Sequence, residues 1–179
     1  MKNSTKNLLQ RFLKNDATTL LFRLALLYIL WFLCRIVFYL QNAGLVGPLE
    51  WNEIPGLLRG VGMFDTASIL YVNALFILLS LLPFRFRETR RYQRILCWLY
   101  TVTNALALIV NSADGIYFHY ARKRFTSDEL SYLHNNDNTG TVVLKGLAEN
   151  WYIVLWCALL IAAMVWVYRR IKAMPTRIE

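Results

Sequence analysis

Residues 95–133 read ILCWLYTVTNALALIVNSADGIYFHYARKRFTSDELSYL. No charged side chain occurs from Ile95 to Ala113, and then Asp114, Arg122, Lys123, Arg124, Asp128 and Glu129 arrive interleaved with Tyr117, Phe118, Tyr120, Phe125 and Tyr132. So abrupt a step is expected where a chain leaves hydrocarbon for the membrane–water interface, the level at which aromatic side chains with a polar tip settle. Three further apolar blocks repeat the oily half of the pattern, at 19–40 (TLLFRLALLYILWFLCRIVFYL), 65–84 (DTASILYVNALFILLSLLPF) and 151–168 (WYIVLWCALLIAAMVWVY). With 95–112 each is close to the ~20 residues a helix needs to cross roughly 30 Å of hydrocarbon, where helices satisfy every backbone group internally. A soluble bundle would need polar faces at helical spacing, and the last three blocks have none.

The expected fold class is therefore all-α, a polytopic membrane helical bundle with four transmembrane helices. Composition agrees: 57% of the 179 residues are hydrophobic and 15% aromatic, beside a formal net charge of +9, an unusual combination for a soluble domain. The first block is too long for a signal-peptide core of about 7–15 residues and lacks a convincing cleavage pattern, so it reads as a retained anchor. Cys34, Cys97 and Cys157 fall one to a span, without the spacing of a metal site or a disulfide framework.

Charge orients the bundle. Thirteen Lys and Arg lie before the first span, in the turn RFRETRRYQR (85–94) and in the tail, against five (Arg59, Arg122, Lys123, Arg124 and Lys145) in the two other connections. Positive residues tend to stay in the cytoplasm, which predicts both termini on the cytoplasmic side of the membrane. The Arg-rich turn is explained by topology and by anionic lipid headgroups, not by nucleic acid. The outer connection QNAGLVGPLEWNEIPGLLRGVGMF (41–64) is expected to hold a short interfacial helix broken by Pro48 and Pro55. The second, 113–150, divides into the charged-aromatic part, a polar turn HNNDNTGTVV and an amphipathic helix start VLKGLAEN.

Polar groups at or within the bilayer are the candidates for chemistry. Arg23 and Arg35 lie in the first span, where an arginine costs about 2.5–3.5 kcal/mol at the centre unless it snorkels or finds a partner. Arg35 reads either as snorkelling or as facing a cavity and a lipid phosphate. Asp65 reads either as a helix N-cap or as one of three ionisable groups, with Arg59 and Asp114, gathered at one membrane face. No Ser-His-Asp arrangement, His/Cys metal spacing or Gly-rich phosphate loop is present, so no catalytic residue and no metal ligand is assigned to this chain.

The order of these features, RGVGMFDTAS (59–68), the basic turn after LLPFRFR (81–87), then NSADGIYFHYARKRFTSDEL (111–130) and a further span, resembles the membrane part of the lipoteichoic acid synthase-like sulfatase family. These are membrane-anchored phosphoglycerol or phosphoethanolamine transferases of bacteria, and the flavour is that of Bacteroidota members. The resemblance rests on Phe64 and Asp65, and on Asp114, Tyr117, Lys123, Arg124 and Thr126. It implies a lipid headgroup passed through a phosphothreonine, with a divalent metal (Mn, Mg or Zn) in an external catalytic domain. The family's membrane part has five spans; here four are expected, and the chain stops at KAMPTRIE on the inner side. The expectation is thus an N-terminal membrane domain without its catalytic domain. Its candidate headgroup-binding residues are Arg59, Asp65, Asp114, Tyr117, Lys123, Arg124 and Thr126, its partners anionic membrane lipids and the catalytic domain. Two alternatives stand beside it: a complete small multi-pass protein without catalysis, such as a transporter subunit or assembly scaffold, and a lipid-modifying enzyme with its site inside the membrane.

Overall fold

The computed structural model describes residues 16–47, 49–82, 89–123 and 145–171. Among them the fold is all-helical, built from α1 (Asp16–Val46), α2 (Ile54–Val72), α3 (Ala74–Leu81), α4 (Arg90–Ala121) and α5 (Trp151–Arg170), with a helical turn at 145–149 leading into α5. Helices α1, α4 and α5 are long and apolar enough to cross a membrane; α2 and α3 qualify only if joined, and they meet at an angle of 63°. Helix α1, 31 residues long, and α4, with 32, both rise ~46–48 Å, well beyond the ~30 Å of hydrocarbon.

Several boundaries differ from the sequence-based spans. Residues 41–64 do not form a separate interfacial helix. Helix α1 runs on through Gln41 to Val46 and ends at Gly47, whose φ of 82° is the left-handed turn that glycine adopts without strain. Helix α2 then begins at Ile54 with Pro55 in its first turn, where the missing N–H has no intrahelical partner to lose; Pro48 lies outside the described residues. Glycines 56, 60 and 62 do not break α2. Asp65 consequently sits inside a helix and is not an N-cap. The aromatic stretch 113–121 continues α4 without a break, so Asp114 lies within that helix. Thr89 caps α4 by accepting from the Tyr92 N–H at 3.4 Å, and Arg122 closes it in the left-handed region at φ 54°.

The helices pack along narrow stripes. Helix α4 buries Leu96, Tyr100, Asn104 and Leu108, four residues apart, and α5 buries Ile153, Cys157, Leu160, Met164 and Tyr168 at steps of three and four. Leu27, Leu30 and Trp31 of α1, Ile69 of α2 and Phe76 of α3 complete the core. The faces away from it remain apolar, with Ile29, Trp98, Leu106, Leu155 and Trp166 exposed. A helix that is hydrophobic all round needs an apolar solvent on its outer side.

Asn73 sits at the break between α2 and α3. Asn73 donates both its backbone N–H and its Nδ2 to the Ile69 carbonyl, each at 3.0 Å, so its side chain competes for a helical acceptor. The same amide exchanges two hydrogen bonds with Asn104 of α4, Asn73 Nδ2 to Oδ1 at 3.0 Å and Asn104 Nδ2 to Oδ1 at 2.8 Å. Both side chains are fully buried.

At the end of the bundle where α5 terminates, Arg23 is only 6% exposed. Its Nη2 donates to the Ile171 carbonyl at 3.2 Å and its guanidinium lies 4.0 Å from the Tyr168 ring centroid. A cation at a helix C-terminus also meets the negative end of the macrodipole. Arg23 therefore has specific partners and does not simply snorkel.

Candidate functional site

The α1–α2 seam holds a charge pair between helices. Arg35 of α1 donates from Nε to Asp65 Oδ2 at 2.9 Å and from Nη2 to Asp65 Oδ1, a two-pronged match of planar guanidinium and carboxylate. The Asp65 side chain is 5% exposed and that of Arg35 30%. About two turns earlier on α1, Tyr28 Oη donates to Thr66 Oγ1 at 2.8 Å. The pair lies within the apolar length of α1, twelve residues from Arg23 and so ~18 Å further along the helix.

The structure joins only part of the residue set expected from sequence. Asp65 meets Arg35, not Arg59. Arg59 is exposed six residues earlier on α2, which turns its side chain ~120° away around the helix axis. Asp114 and Tyr117 are half-buried on one face of α4, and Lys123 is exposed just past that helix's end. Arg124 and Thr126 lie outside the described residues.

A second group at the same end of the bundle was not anticipated. Fully buried Asn42 donates from Nδ2 to the Phe38 carbonyl at 3.0 Å and to the Gly115 carbonyl at 3.3 Å, tying α1 to α4. Gly115 lets α4 approach α1 closely: a Cβ there would stand 3.2 Å from Gln41 Oε1, close enough to push that side chain aside by a few tenths of an ångström, and 3.5 Å from the Phe38 ring. Gln41 Nε2 donates to Tyr152 Oη (3.4 Å), Tyr152 Oη to Asn150 Oδ1 (3.3 Å), Asn150 Nδ2 to Tyr120 Oη (3.4 Å), and Tyr120 Oη to Glu149 Oε2 (2.8 Å). This chain of polar groups ties α1, α4 and α5 together where 145–150 enters the bundle. The signal in the sequence was the asparagines themselves, since an amide in or beside an apolar span is costly without a partner.

The arrangement positions charge and hydrogen-bonding groups; it offers no activated nucleophile. Among the described residues no three His, Cys, Asp or Glu side chains gather closely enough to hold a metal ion. Comparisons of the chain with protein-family models, curated proteins and solved structures return no match.

Proposed function

We propose that this chain is the membrane module of a bacterial cell-envelope enzyme of the lipoteichoic acid synthase-like type, anchoring an external metal-dependent domain and holding an anionic lipid headgroup beneath it. In this reading α2 and α3 together form one broken span, four spans cross the inner membrane, and both termini face the cytoplasm. The Arg35–Asp65 pair supports it best. Ionisable groups are expensive in an apolar span and by default mark a functional path, and this pair falls on the Phe64-Asp65 motif that carries the family resemblance. Exposed Arg59 lies ~9 Å further along α2 from Asp65, toward the headgroup level, and Lys123 follows the end of α4. The pair orients α2, and the outer cations meet the phosphate.

The test is lipid retention by the purified protein, measured by native mass spectrometry after exchange into mixed phosphatidylglycerol and phosphatidylcholine. Wild type is expected to retain phosphatidylglycerol preferentially, and R59Q/K123Q to lose most of that preference while remaining folded. Equal retention of the two lipids by wild type would sink the headgroup role and favour a non-catalytic scaffold.

A further inference from the structure

A cavity of about 10 Å³ lies where α1, α4 and α5 meet, lined by Cys34, Gln41, Asn111, Ser112, Gly115 and Trp156 together with apolar side chains. That is at the lower edge of the space one water molecule needs, ~10–15 Å³, and a buried water also needs two or more polar partners. The lining supplies them in complementary kinds. Trp156 carries a buried Nε1–H with no protein acceptor. Three neighbours have directed their donors elsewhere: Gln41 Nε2 to Tyr152 Oη, Asn111 Nδ2 to the Ala107 carbonyl at 3.2 Å, and Ser112 Oγ to the Leu108 carbonyl at 2.8 Å. Each keeps a side-chain oxygen that can accept. The wall thus has one donor in need of an acceptor and several acceptor oxygens, which a single water satisfies and no nonpolar occupant would.

We infer that this junction is a binding site for one ordered water molecule, which takes the Trp156 Nε1–H and donates to oxygens among Gln41, Asn111 and Ser112. Gln41 belongs both to the cavity and to the chain of hydrogen bonds ending at Glu149. The water extends that polar chain from the bundle's end into its interior, between helices whose outer faces are apolar. This conclusion is independent of the lipid-headgroup role.

Trp31 provides an internal control. Its Nε1–H is also buried without a protein acceptor, and it does not line the cavity. The experiment is proton NMR of the full chain carrying isotope-labelled tryptophan, in nanodiscs of deuterated lipid, reading cross-relaxation from water to each indole proton. A water cross-peak is expected at the Trp156 indole and none at Trp31. Ser112→Val, which replaces the hydroxyl with a methyl and adds a second methyl in the same space, is expected to reduce the Trp156 cross-peak to the Trp31 level while the Trp156 indole signal persists. A missing cross-peak at Trp156, an equal one at Trp31, or one unaffected by Ser112→Val would each overturn the site.

Discussion

Two arginines twelve residues apart on α1 solve the same problem in different ways. Arg23, 6% exposed, meets the carbonyl that ends α5, the face of Tyr168, and a surrounding box in which the rings of Phe76 and Tyr100 stand 5.1 Å apart and those of Tyr100 and Tyr168 4.7 Å. Arg35, with its side chain 30% exposed, is held by a carboxylate. The first arrangement places a guanidinium at the bundle end where Arg169 and Arg170 also lie, and is reinforced by a helix dipole. The second neutralises charge within the apolar seam and depends wholly on one partner. Arg23 accordingly acts as a structural cap, while Arg35 and Asp65 form a joint whose loss would free α2.

The comparison is most easily broken at Asp65. Asp65→Leu strands the Arg35 guanidinium, and removing one partner of a desolvated pair costs ~3 kcal/mol or more. A large fall in the thermal unfolding midpoint in detergent is expected. The double variant R35L/D65L should recover most of it, because an apolar pair of similar size carries no desolvation penalty. If the double variant is no better than the single, the seam is held by packing and the ion pair is incidental.

Arg23→Met tests the other half. It keeps an unbranched apolar stem and removes a charge-assisted hydrogen bond of ~1.5–3 kcal/mol and a cation–π contact of ~0.5–2 kcal/mol, which overlap and do not simply add. The expected loss is smaller than for Asp65→Leu, because the Ile171 carbonyl that loses its donor lies at a helix end, where water or headgroups can reach it. A loss equal to or larger than that of Asp65→Leu would make Arg23 the more important anchor and invert the comparison.

The apolar blocks were legible because hydrocarbon imposes a length and a composition that few other environments do. The first, third and fourth fall within α1, α4 and α5. What was not legible was where helix persists outside the oily stretch. The sequence ADGIYFHYA has the look of an interfacial loop, yet α4 carries on through it because Gly115 faces α1 at close range and Asn42 hydrogen-bonds its carbonyl. Likewise the glycines and Pro55 before Asp65 suggested a broken surface segment, whereas Pro55 is acceptable in a first turn and α2 runs past all three glycines. Of the candidate site, Asp65 reads from the sequence as a headgroup-binding candidate and Arg35 as a costly group in the span; in the structure the two are paired. Their pairing was hidden, since thirty residues separate them and the nearer cation, Arg59, projects elsewhere.

Between the two arginine levels, Asn73 and Asn104 form a neutral counterpart, and the smallest effect is expected there. Hydrogen bonds between helices in membranes contribute about 0.6 kcal/mol on average and up to ~1.7, so Asn104→Leu should cost ~1 kcal/mol and leave Asn73 bonded to the Ile69 carbonyl. Stability alone would not separate a packing role from a shaping one. Geometry would: if the Asn73 side chain creates the 63° bend by competing for Ile69, then Asn73→Leu lets α2 and α3 straighten, and spin labels at positions 64 and 81 move apart. Asn104→Leu removes the cross-link but not the local competition, so the label distance should remain that of wild type. If instead both substitutions lengthen it equally, the bend is imposed by α4 through the amide pair. If neither does, the packing of Ile69 and Phe76 sets it, and the charged joint at Arg35–Asp65 with the Tyr28–Thr66 hydrogen bond would remain as the polar determinants of where α2 lies.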